Sequence, residues 1–129
     1  MAFGDPIPPE RVIHRALSYK NSNKKEKKPK DSAFLLKESH TDLGTGEHYP
    51  AEDYLSFGLS PEAARLGLHN IPYTCPILVA DILALGRNIR VTEDIDGKVR
   101  VSGMPLPSQD LDMALTIAKD LRNLSGNYE

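Results

Sequence analysis

Large rings are rare in this chain: aromatic residues make up 6% of it and tryptophan is absent. There is one cysteine, Cys75, so no internal disulfide is available to staple the fold. Long apolar runs are missing too. The longest stretch, "CPILVADILAL" from Cys75 to Leu85, is interrupted by Asp81 and falls short of the roughly 20 residues that span a bilayer. No membrane anchor is expected. Charge of one sign is also lacking: the net charge is -2 and the pI is near 6.1. This argues against a protein whose whole surface attracts nucleic acid, because such domains run strongly basic. The opening "MAFGDPIPPER" has neither a basic segment nor an apolar one of secretory type. The expected compartment is the cytoplasm.

What is present suits one hydrophobic core. The 129 residues (14.3 kDa) are 40% hydrophobic and 26% charged, the balance of an ordinary globular domain too small to divide in two. The expected organisation is therefore a single domain, 1–129, with an extended arm at 1–10 and a flexible basic loop at 20–31. "DPIPPE" has three prolines in four residues, which removes amide donors and predicts an arm without regular pairing. Arg11 to Leu17 alternates, with Ile13, Arg15 and Leu17 on one face, and predicts a strand. "SAFLLK" (Ser32 to Lys37) predicts a second strand, and pairing with the first would make the lysines the tip of a hairpin.

From Glu38 to Asp53 the chain is polar and aperiodic and reads as a long surface connection, of a length that is often functional. A third strand is expected at Tyr54 to Gly58. It leads into a short helix with Ser60 as N-cap, Pro61 at the first position and Glu62 in the first turn, ended by Gly67. Thr74 to Gly86 predicts a buried strand followed by a helical turn capped by Asp81. "NIRVTEDIDGKVRVSG" predicts a hairpin with a two-residue turn at Asp96 and Gly97. A last helix, capped by Ser108, would bury Leu111, Leu115, Ala118 and Leu121. The class is α+β: a small mixed or antiparallel sheet of about five or six short strands, short helical turns, and a C-terminal helix packed on it.

Candidate chemistry is sparse. Lys24, Lys25, Lys27 and Lys28 are capable of meeting phosphates in a sequence-blind, salt-sensitive way. No aromatic residue interleaves them to stack a base, so a solvated loop is the expectation and nucleic acid is not the expected partner. His40 and His48 flank "TDLGTGE" and are candidate binding residues, but their spacing fits no closed zinc pattern and no metal is expected. "GTG" at Gly44 to Gly46 reads as a turn. Cys75 precedes a proline, has no helix N-terminus to lower its pKa, and is expected to be an inert core thiol. His14 and Arg15 on the first strand and Ser56 on the third stand out. A buried Arg needs an anionic partner, either a protein carboxylate or a ligand phosphate.

The succession "IHRAL", "KDSAFLL", "YLSFGLSPEAARLG", "CPILVADILALG" and "VRVSGMP" resembles a group of small prokaryotic proteins seen among conflict or defence genes. The strand Arg followed by "YLSFGLSPEAARL" is also similar, more faintly, to RES-type toxin domains, which consume NAD. That second resemblance implies Arg15 at the pyrophosphate and Tyr54 or Ser56 on the nicotinamide side, though no catalytic Glu is identifiable after the strand. Two readings follow. One is a non-catalytic binding or accessory domain with an unidentified protein partner or small ligand, no cofactor, and a variable surface at Glu38 to Asp53 and the lysines. The other is an NAD-consuming enzyme using Arg15, Tyr54 and Ser56.

Overall fold

A computed structural model describes residues 4–69 and 71–129. Strand β1 (Val12–Leu17) has both its edges taken, by β7 (Tyr73–Leu78) along six residue pairs and by β6 (Tyr54–Gly58) at one. β6 continues into β9 (Lys98–Ser102), and β9 into β8 (Arg90–Glu93). The result is a five-stranded antiparallel sheet in the order β7-β1-β6-β9-β8. "SAFLLK" does not take up the part of the β1 edge that β6 leaves unpaired. Asp31–Phe34 coils into a 3-10 turn instead and buries Ala33 and Phe34, a correction to the expected second strand and its hairpin with β1.

Alternation along the strands sets the core. Ile13, Leu17, Leu55, Phe57, Cys75, Ile77, Val91, Val99 and Val101 are all buried on one face. Helix α3 (Leu111–Leu124) and the 31–34 turn lie over them, with the Phe34 and Phe57 rings stacked at 6.4 Å. The helix buries Ala114, Ile117, Ala118 and Leu121, whose spacing makes one narrow stripe. Leu111 and Leu115, expected inside, are 55% and 46% exposed. Its N-cap is Asp110, accepting from the Met113 amide at 3.1 Å, rather than Ser108. Among the described residues no helix is long and apolar enough to cross a membrane.

On the other face, α1 (Pro61–Arg65) starts as expected, with the Ser60 hydroxyl accepting from the Ala63 amide at 3.1 Å. It presses on Gly58, where an added Cβ would lie 2.2 Å from the Ala64 nitrogen. α2 (Val79–Leu83) follows β7 directly. Its first amides are capped by backbone carbonyls of the N-terminal arm, Val79 to Arg11 and Ala80 to Pro9, both at 2.9 Å, while Asp81 sits inside the helix and not at its cap.

Both outer edges of the sheet are covered, one by residues 4–7 and the other by Glu129. Gly4 donates to Glu93 and Glu93 to Asp5, each at 2.8 Å, and Ile7 donates to Val91 at 2.9 Å, so the proline arm does pair with β8. Pro6 bridges Thr92 at a position between those bonds, where its missing N–H is not needed. On the far side, Thr74 and Glu129 exchange bonds of 3.0 and 2.9 Å. The β8–β9 loop has φ of 55° at Asp96 and 75° at Gly97, the left-handed pair expected there. It is three residues long, however, not two: Asp94 keeps strand register by donating to the Lys98 carbonyl at 2.8 Å, and its side chain caps the Ile95 amide.

Gly58→Ala is expected to destabilise the protein by about 2 kcal/mol or more, because backbone of α1 has to move to admit one methyl group. Urea unfolding of the variant checks this, and an unchanged midpoint would show that α1 sits off the sheet.

Candidate functional site

Arg15 is on the core face of β1, between Ile13 and Leu17, at the point where the sheet comes apart. β1 and β6 meet only at His14 and Gly58. Beyond that pair, the Arg15 guanidinium stands in for the missing ladder. Its Nη1 donates to the Ser56 carbonyl at 2.7 Å, and its Nε and Nη2 donate to the Ala33 carbonyl at 3.0 and 2.8 Å. The group also lies 5.7 Å from the Phe57 ring centroid. Burial pushes its pKa down, opposed by the field of Glu52. The partners within the chain are therefore two backbone carbonyls, and no carboxylate is in contact, which corrects the expected protein carboxylate. A planar fork with five N–H donors suits two carbonyls on different segments, and two of the five remain for another acceptor.

Arg15, Tyr54 and Ser56 do line one cavity, of about 320 Å³, with Pro50, Glu52 and Asp53. Tyr54 and Ser56 approach it from β6, and the Arg100 guanidinium stacks 4.3 Å over the Tyr54 ring. A second opening of about 280 Å³ follows the gap between β1 and β6 and is lined by Arg15, Ser56, Glu52, Lys37 and Lys98. Lys98 donates to the Ala64 carbonyl at the end of α1 at 3.1 Å, and burial together with the Arg15 charge pushes its pKa down. His14 lines neither opening. It is half-buried, with its pKa lowered chiefly by burial.

Two residues of the site carried no signal in the sequence. Glu52 lies in a polar, aperiodic segment, but the fold brings it back to Lys37: its Oε1 accepts from the Lys37 amide at 2.7 Å and its own amide donates to the Lys37 carbonyl at 2.9 Å. Lys98 alternates with Val99 in β9 and reads as solvent-facing, and only the placement of α1 and Arg15 makes it part of a cleft.

The Lys37–Glu52 pair closes the base of a projecting ribbon, β4 (His40–Thr41) against β5 (His48–Tyr49). Asp42 organises its tip, accepting from the Gly44 and Thr45 amides at 2.7 and 3.1 Å. Leu43 is 100% exposed there. His40 stacks on Tyr49 at 5.2 Å while Thr41 faces His48, which puts the two histidines on opposite faces of the ribbon. They do not share a site, and among the described residues no three His, Cys, Asp or Glu side chains cluster as for a metal. Cys75 is buried, and burial pushes its thiol up to about 11.

The lysine segment is organised rather than a plain loop, a correction to the expected loop at 20–31. β2 (Ser22–Asn23) pairs with β3 (Lys28–Pro29), and Lys27 takes the turn at φ 53°. Its apolar support is Pro29, which is buried, and its polar support comes from the C-terminal helix. Arg122 pairs with Glu26 at 2.6 Å and donates to the Pro29 carbonyl at 3.2 Å, and Lys28 donates to the Ser125 carbonyl. Lys24 and Lys25 remain exposed. Lys28 is thereby separated from Lys24, Lys25 and Lys27 as a structural donor. No protein-family model, curated protein or solved structure matches this chain.

Arg15→Met is expected to cost about 3 kcal/mol, since two interior carbonyls lose charged donors. Arg15→Lys should restore little of it, because a single ammonium cannot serve both. Full stability of the lysine variant in urea would contradict the bracing role. Lys28→Ser should cost about 1 kcal/mol, whereas Lys24→Ser and Lys25→Ser should leave the melting temperature where it is. Equal effects at all three positions would show that the Ser125 contact carries no weight.

Proposed function

We propose that this chain is a small non-catalytic binding or accessory domain of a prokaryotic protein system, working in the cytoplasm. Its recognition surface is the ribbon of residues 38–53 and the cleft at the ribbon's base. One observation supports this over catalysis: the Arg15 guanidinium donates three of its five N–H groups to the Ala33 and Ser56 carbonyls, so its place is set by bracing the sheet and not by a reacting group. The exposed ribbon, with Leu43 at its tip and the His40–Tyr49 stack on one side, supplies contact chemistry for a protein partner without requiring any reacting group.

A second reading, an NAD-consuming enzyme of RES or ADP-ribosyltransferase type acting as a toxin or effector, is favoured by one fact. Arg15, Tyr54 and Ser56 line the same cavity, and Glu52 adds a carboxylate to it. Incubation with NAD followed by chromatographic measurement of free nicotinamide separates the two readings. No release above the protein-free control is expected. Release that disappears in Glu52→Gln would replace the binding reading with the catalytic one.

A further inference from the structure

We propose that the gap between β1 and β6 is a receptor for a small oxyanion, held between the inner Arg15 and Lys98 and the outer Lys37. This deepens the binding reading given above, since it names the ligand chemistry of the cleft.

The argument starts from charge. Three cations, Arg15, Lys37 and Lys98, line the opening against one carboxylate, Glu52. An excess of two positive charges in a partly enclosed space is unfavourable unless something neutralises it. The mutual repulsion is visible in Lys98, whose pKa is pushed down first by burial and then by the Arg15 charge.

Donors are also left over. Arg15 uses three of its N–H groups on carbonyls out of five. Lys98 uses one, on Ala64, out of three. Ser18 and Ser56 line the same opening, and among the described residues neither hydroxyl makes a hydrogen bond. Such a set can surround a carboxylate or phosphate with charge-assisted hydrogen bonds.

Size and rim set the class of ligand. The opening holds about 280 Å³ and is flanked on the outer side by Leu68 and Ile71. That suits a small anion with a short organic body, and it is too confined for a polymer to lie along it. The lysines at 24–28 belong to a separate surface and take no part.

The test is a titration of the isotope-labelled full chain with inorganic phosphate, sulfate and acetate in separate experiments, read by amide and arginine Nε–H chemical shifts at low ionic strength. Saturable shifts at Arg15, Lys37, Ser56 and Lys98 are expected. Tighter binding of the tetrahedral anions assigns a phosphate-type ligand, and tighter binding of acetate assigns a carboxylate. Lys98→Met should weaken binding about tenfold or more. Lys37→Met, a change at an exposed position that folding tolerates, should weaken it as well. No saturable change up to about 10 mM anion, or shifts confined to Lys24 to Lys28, would overturn the proposal. The nicotinamide assay reads the non-catalytic assignment and this titration reads the anion site, so either can fail alone.

Discussion

The sheet of this protein depends on one side chain. β1 and β6 touch at a single residue pair, which leaves a two-stranded unit, β7-β1, beside a three-stranded one, β6-β9-β8. The Arg15 guanidinium spans the gap and donates to a carbonyl of β6 and to the 31–34 turn that roofs the core. An aliphatic residue in its place would pack well but would strip those part-buried carbonyls of their charged donors, and the penalty for leaving them unpaired exceeds the gain from one more apolar contact. The cation is tolerated because it is hydrogen-bonded on three sides and lies near Glu52.

The gap is also what gives the molecule a cleft. A fully paired β1–β6 ladder would bring the strands to ordinary spacing and close the opening where Arg15, Lys98 and Ser56 now face one another. Closure elsewhere is thorough. The residue 4–7 arm pairs along β8, and Glu129 pairs with Thr74 of β7, so the outer edges offer little unpaired backbone for strand addition. Recognition is thereby directed to the central gap and to the ribbon at residues 40–49.

Alternating patterns made much of the fold legible. β1, β6, α1 with its Ser60 cap, the left-handed Asp96–Gly97 pair and α3 all follow from period, capping and turn chemistry acting locally. Three of the errors share a cause: each was settled by a distant partner. "SAFLLK" looks like a strand until Arg15 takes the Ala33 carbonyl and the segment coils over the core. The proline arm looks unpaired until β8 presents its edge. The lysine segment looks unsupported until Arg122 and Ser125 reach it from the other end of the chain. Arg15 stood out because its alternation put a cation inward, but its partners did not, since carbonyls carry no signature in a sequence. Glu52 and Lys98 were invisible for the same reason.

Amide hydrogen exchange in the Arg15→Met variant, compared with the unsubstituted protein under native conditions, tests the bracing role most directly. If Arg15 joins the two halves of the sheet, protection should fall selectively along β1, β6 and the 31–37 segment, while the β8–β9 amides keep their protection relative to global unfolding. A uniform loss across all five strands, or none at β6, would contradict it.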